Sequence, residues 1–134
     1  MSNDLYHPLI LQYSKDESDF AKQDEWSSKI KAYNPTCGDK FQLYLNIENE
    51  VIMNASFHGY GCAVSKASTA ILIKHIKGKK INQLRSLIAD FVRLESEGMF
   101  EEFDAFEAAK NFPGRQKCAT LAWDALLENL SILK

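Results

Sequence analysis

Two runs of strict alternation meet at a two-residue turn in the middle of this chain. Phe41, Leu43, Leu45 and Ile47 alternate with Gln42, Tyr44, Asn46 and Glu48, the period of a strand with one buried face. After Asn49–Glu50, Val51, Met53, Ala55 and Phe57 repeat the pattern. The pairing predicts an antiparallel hairpin whose core face carries those eight apolar residues. Gly59 and Gly61 flank Tyr60 at its exit, where backbone angles barred to other residues become available.

Helical spacing follows at once. Val64, Ala67, Ile71 and His75 share one helical face, as do Ser68, Leu72 and Ile76, and Gly78 is a stop signal. INQLRSLIADFVRLESEG reads as one or two helices ending at Gly98, and FDAFEAAKNF as another. Pro113–Gly114 reads as a break, with a last helix from about Arg115 that turns Ala119, Leu121, Ala122, Leu126 and Leu130 inward. Upstream, residues 8–13 form a short helix with Leu9, Ile10 and Tyr13 on its inner face. The polar stretch from Ser14 to Lys31 reads as a second helix or an ordered arm. The expected architecture is α+β, a small antiparallel sheet of about three strands packed against several helices. It forms a single domain over 1–134, with 1–33 as an N-terminal helical arm.

The bulk properties narrow the function classes. At 134 residues, 46% hydrophobic and 25% charged, the chain can bury a core without staples. A formal net charge of -2 gives no global attraction to nucleic acid or to a membrane surface. The apolar runs fall well short of the ~20 residues that span a bilayer, and the N-terminus lacks a signal-peptide pattern. The expected location is cytoplasmic, with neither nucleic acid nor membrane as partner.

Three cysteines, an odd number, argue against a disulfide framework. Cys37 lies in a turn before the first strand of the hairpin, Cys62 opens the helix after the glycines, and Cys118 falls in the first turn of the last helix. Asp39 follows Cys37 across Gly38, so both side chains can reach one ion. Three thiolates and a carboxylate suit four-coordinate zinc. The positive ends of two helices, with Arg115 and Lys117 beside Cys118, favour thiolate over thiol. His58 and His75 read as structural, although His58 is near enough in sequence to Cys62 to be a substitute ligand. On spacing alone, buried small hydrophobes and a metal site both remain open readings.

The motifs themselves say more. Asn34-Pro35-Thr36-Cys37-Gly38-Asp39, then Phe57-His58-Gly59-Tyr60-Gly61-Cys62-Ala63-Val64-Ser65-Lys66-Ala67-Ser68, then Lys117-Cys118-Ala119-Thr120-Leu121-Ala122-Trp123 resemble the U-type iron–sulfur assembly proteins. These are the IscU, NifU N-terminal and SufU families. The stretch between Cys62 and Cys118 is longer than in the scaffold branch, and Lys117 stands where that branch has a histidine. Asn111-Phe112-Pro113-Gly114-Arg115-Gln116-Lys117 replaces its Leu-Pro-Pro-Val-Lys chaperone motif. These features place the resemblance nearest the SufU branch. Leu11-Gln12-Tyr13-Ser14-Lys15-Asp16-Glu17 departs from the usual His-Tyr-x-Asn-Pro-Arg-Asn, sharing no more than the tyrosine.

The resemblance implies a zinc-dependent sulfurtransferase with zinc on Cys37, Asp39, Cys62 and Cys118. It implies that Cys37 accepts persulfide sulfur from a pyridoxal-phosphate cysteine desulfurase of the SufS type and passes it to a downstream iron–sulfur scaffold. Arg115 would steady the sulfur anion. The rival implied by the same resemblance is a scaffold or carrier holding a [2Fe–2S] cluster, and a purely structural zinc module is a third reading.

Overall fold

The computed structural model describes residues 8–23, 25–35, 38–92, 106 and 113–133, with backbone alone at 92 and 113–115. The described elements are α1 (Pro8–Ser14), β1 (Ser28–Asn34), β2 (Asp39–Glu48), β3 (Val51–Tyr60), α2 (Ala63–Ile76), α3 (Ile81–Val92) and α4 (Pro113–Asn129), closed by a 3-10 turn at Leu130–Ile132. The strands form one antiparallel sheet in the order β1-β2-β3. The helices cover one face of it, giving the α+β arrangement expected from the sequence.

The hairpin turn is tight because Asn49 and Glu50 both take positive φ, 51° and 65°, the conformation that matches strand twist in two-residue hairpins. Phe41, Leu43, Leu45, Ala55 and Phe57 are buried on the helix side as the alternation requires. Met53 departs from the expectation: it is 58% exposed, and Ile52 is fully buried instead. A register shift between Asn46 and Ile47 breaks the pairing there, with Asn46 opposite Asn54 and Ile47 opposite Ile52, and the added residue puts the alternation on its turn side out of phase with that of Ala55 and Phe57.

The region from Ser14 to Lys31 is corrected as well. Its last part is strand, not helix: Ser28–Asn34 pairs along β2 from Ser28↔Leu45 to Asn34↔Asp39. Ile30, Ala32 and Asn34 point inward while Lys29, Lys31 and Tyr33 point out, a period of two that short length and high polarity disguise. Phe20 makes a parallel bridge to Phe57, and its backbone neighbours cover the edge of β3. Phe57 N–H donates to Asp19 O and Ala21 N–H to Phe57 O.

Helix α2 is the centre of the molecule. Val64, Ala67, Ile71, Leu72, Ile73 and Ile76 are all fully buried, so it is apolar on nearly every side, as a helix sandwiched between layers must be. Helix α1 lies on it, with Lys74 Nζ donating to Tyr13 Oη at 2.7 Å. Helix α4 crosses it through a buried polar knot. Ser68 Oγ donates to Ala119 O, and Trp123 Nε1–H donates to Ser68 Oγ at 2.9 Å. Phe91 of α3 stacks on Trp123 at 3.8 Å, and Phe106 meets Phe91 edge-on. The helical readings for 93–98 and 103–112 otherwise lie outside the described residues.

Pro113 is the first residue of α4 rather than a break before it. Its missing N–H belongs to a helix end that leaves that donor unused anyway. The earlier start has a consequence for the site, because it moves Cys118 into the second turn.

Candidate metal centre

One end of the sheet meets the start of α2 and the second turn of α4. Asp39 is the first residue of β2 and shares the core face with Phe41 and Leu43, so its carboxylate is 1% exposed. Opposite it, Asn34 ends β1. Gly38, at φ 78°, closes the turn by donating to Asn34 O at 2.8 Å. Cys37, the predicted ligand and acceptor in that turn, lies outside the described residues.

Cys62 caps α2. Its N–H donates to Asp39 Oδ1 at 3.0 Å, and its Sγ accepts from Ser65 N–H at 3.4 Å, taking the place of the oxygen that usually caps a helix. The Ser65 hydroxyl is 3.6 Å from the sulfur and donates to Cys62 O at 3.1 Å. Ser65 was not singled out from the sequence. The available signal was its place three residues after Cys62 at a helix start, the spacing of reciprocal capping pairs.

Cys118 is 1% exposed, and its thiol donates to Asp39 Oδ2 at 3.1 Å. The expectation that it occupies the first turn of the last helix is corrected by the start at Pro113. The helix-end position expected for both cysteines therefore holds for Cys62 alone, since a helix field falls off within the first turn. The Arg115 side chain lies outside the described residues, and Lys117 is exposed.

The donor atoms of Asp39, Cys62 and Cys118 all lie within 4.8 Å of one another. Ligand atoms on tetrahedral zinc stand about 3.5–3.8 Å apart, so the three need only a small contraction to share one ion. Two sulfurs and one carboxylate oxygen form a donor set that zinc accepts. The surroundings are shaped to keep that space. A Cβ on Gly61 would fall 2.4 Å from Ser65 Oγ and 2.7 Å from Asp39 Oδ1. His58 does not take part as a substitute ligand. It pairs with Gln42 on the other face of the sheet, and its ring packs against Phe20 at 4.7 Å.

Residues 6–132 match the family described as NifU-like N terminal domain. The chain is 32% identical over 131 residues to the iron–sulfur cluster assembly scaffold protein IscU of Thermotoga maritima, covering 94% of this chain and 92% of that one. It is 30% identical over 128 residues to the zinc-dependent sulfurtransferase SufU of Bacillus subtilis, covering 91% and 86%. The crystal structure of an iron–sulfur cluster assembly scaffold protein for the SUF system from Fervidobacterium islandicum superposes with a TM-score of 0.83 at 29% identity, covering 99% of this chain and 98% of that one. An N-terminal NifU-like structure from Brucella abortus shares the fold at a TM-score of 0.83 and 20% identity.

Proposed function

The chain belongs to the NifU-like N-terminal domain family of iron–sulfur cluster assembly proteins, and from that premise we propose that it is a zinc-dependent sulfurtransferase. The observation that carries this reading is the convergence of Asp39, Cys62 and Cys118 at one end of the sheet. Cys37 completes the set as fourth ligand and sulfur acceptor. When bound, zinc holds its cysteine ligands as thiolates and ties the three elements together.

The transfer is an exchange between sulfurs. An uncoordinated Cys37 thiolate attacks the terminal sulfur of a persulfide on a cysteine desulfurase. The donor's S–S bond breaks, the donor cysteine leaves as a thiolate, and the sulfur stays on Cys37 as a new persulfide. No net oxidation occurs. Arg115 supplies positive charge to the persulfide anion in this proposal. The sulfurtransferase SufU is a relative at 30% identity, and Lys117 stands beside Cys118 where the resemblance would give a scaffold a histidine.

A second reading has its own observation: the scaffold relative is at least as similar, at 32%. The same sulfurs would then hold a [2Fe–2S] cluster as cargo. Mass spectrometry of the protein after incubation with a SufS-type desulfurase and cysteine separates the two. The transferase reading expects one added sulfur, about 32 Da, on Cys37. Anaerobic assembly of a stoichiometric [2Fe–2S] chromophore with no sulfur on Cys37 would establish the scaffold instead.

A further inference from the structure

Among the described residues, the helices leave the other face of the sheet uncovered, and its side chains are not a random polar mix. The register puts three rungs across it: Tyr33–Lys40–Tyr60, Lys31–Gln42–His58 and Lys29–Tyr44–Ser56. Among these nine residues there are three lysines and no carboxylate, in a chain whose formal charge is -2. A groove of about 490 Å³ runs over six of them, Lys29, Lys40, Gln42, Tyr44, His58 and Tyr60, with Lys22 added from the segment before β1, and Lys31 and Tyr33 stand beside it on the same face. Its floor is ordered, since Tyr44 Oη donates to Gln42 Oε1 at 2.9 Å. Tyr60 in its lining is 65% exposed, and Tyr33, across Lys40 in the same rung, is 59% exposed. Trp26 closes the far side, edge-on to Tyr44 at 5.6 Å and beneath Lys29 Nζ at 5.2 Å.

We infer that this groove docks an extended acidic segment of a partner protein. In a strand, residues two apart lie on one face about 6.8 Å from each other. Lys29 and Lys31 on β1 present that interval, which matches carboxylates at alternate positions of an extended peptide. Tyr33 and Tyr60 supply the rigid amphipathic contact area that recurs at protein interfaces. Charge complementarity on this face orients the encounter and speeds it. A long nucleic-acid polyanion meets the negative field of the whole chain, whereas a short segment feels only charges within a Debye length, about 8–10 Å. The groove lies at the same end of the sheet as the candidate metal centre but on the opposite face, since Lys40 follows Asp39 and Tyr60 precedes Gly61–Cys62. A partner seated there would be held beside that end of the sheet.

The test uses the full chain and a labelled short peptide with glutamate at alternate positions, followed by fluorescence anisotropy. A lysine counterpart of the peptide and a short oligothymidylate serve as comparison probes. The acidic peptide should bind saturably and lose about tenfold or more affinity when Lys29, Lys31 and Lys40 are all changed to Glu, with the loss smaller at high salt. Tyr60→Ala should weaken it through lost contact, and Lys80→Glu, outside the groove, should leave it unchanged. Tighter binding of the oligothymidylate would make this a nucleic-acid surface and overturn the proposal. So would a concentration-dependent dimer, seen by sedimentation, that the triple variant abolishes while the peptide fails to bind. Absence of saturable peptide binding, or an equal loss in Lys80→Glu, would overturn it as well.

Discussion

The Cys118 thiol donates to Asp39 Oδ2 at 3.1 Å, joining the second turn of α4 to the first residue of β2 across 79 positions of sequence. Asp39 Oδ1 is engaged too, by the Cys62 N–H at 3.0 Å. One carboxylate thus holds the helix start with one oxygen and presents the other to a sulfur. A buried carboxylate is costly unless hydrogen-bonded, and both of its oxygens have found donors.

Asp39→Asn tests that division of labour. The amide oxygen can still accept from the Cys62 N–H, so the fold should survive with little change in its melting temperature. The other position now carries an NH₂, which cannot ligate a metal. Zinc affinity, measured by competition with a chromophoric chelator, should fall by more than the roughly 10–100-fold typical of losing an outer-shell partner. Unchanged affinity would remove Asp39 from the ligand set.

Two glycines should fail in different ways. At Gly59 an added Cβ would sit 2.1 Å from the Lys40 carbonyl oxygen, and φ is 146°. Backbone cannot move aside there, so Gly59→Ala should unfold much of the chain at 37 °C. At Gly61 the conflict is with side-chain atoms of Ser65, Asp39 and Phe41. Gly61→Ala should cost about 1–3 kcal/mol in urea denaturation, the range for overpacked sites, and should lower zinc content. Equal stability losses in both variants would contradict this distinction.

Asp124 supplies the pH test. Its pKa is raised above the ordinary 3.8, chiefly because its carboxyl group is partly desolvated on α4 and further by the charge of Glu128, against a lowering hydrogen bond from Thr120. The residue as a whole stays solvent-accessible, so the effect is modest. A folded-state pKa above the unfolded value means that the ionised carboxylate disfavours the fold at neutral pH. That penalty is relieved as pH falls through the folded pKa. Asp124→Asn should therefore melt slightly higher than the parent at pH 7, and the gap should close below about pH 3.8. A gap that widens on acidification would reverse the sign.

Much of the fold and of the site is legible in the amino-acid sequence. The hairpin, the α2 start at Cys62 and its stop near Gly78 follow from local signals, namely alternation, glycine and helical spacing. Two of the misses are matters of offset, where one residue changes the face or the turn that a side chain occupies. Met53 and Ile52 exchanged places because a bulge is set by strand pairing, which no single run reveals. Ser28–Asn34 hides as a strand because only Ile30 and Ala32 of its inward residues are apolar, while Tyr33 points outward with Lys29 and Lys31. At the site, Asp39 and Cys62 were readable from their motifs. The depth of Cys118 was not, because the helix began at Pro113, a residue that reads as readily for a start as for a stop.

That depth yields a prediction about the two described cysteines. Cys62 is half-buried at a helix N-terminus, with the Ser65 N–H directed at its sulfur. Cys118 is 1% exposed and its S–H donates a hydrogen bond to a carboxylate, and a thiol in that position is a poor nucleophile. After metal is stripped with a chelator, brief treatment with iodoacetamide should label Cys62 well before Cys118, as read by peptide mass mapping. Zinc added first should protect both, because a coordinated sulfur is no longer free to attack. Denaturant should then erase the difference, since reactivity is set here by burial and hydrogen bonding rather than by local sequence. If Cys118 labels first in the folded, metal-free protein, its thiol is not held against Asp39, and the three-donor cluster loses one of its sulfurs. If zinc protects Cys62 but not Cys118, the ion sits nearer the turn that carries Cys37 than the α4 side of the site.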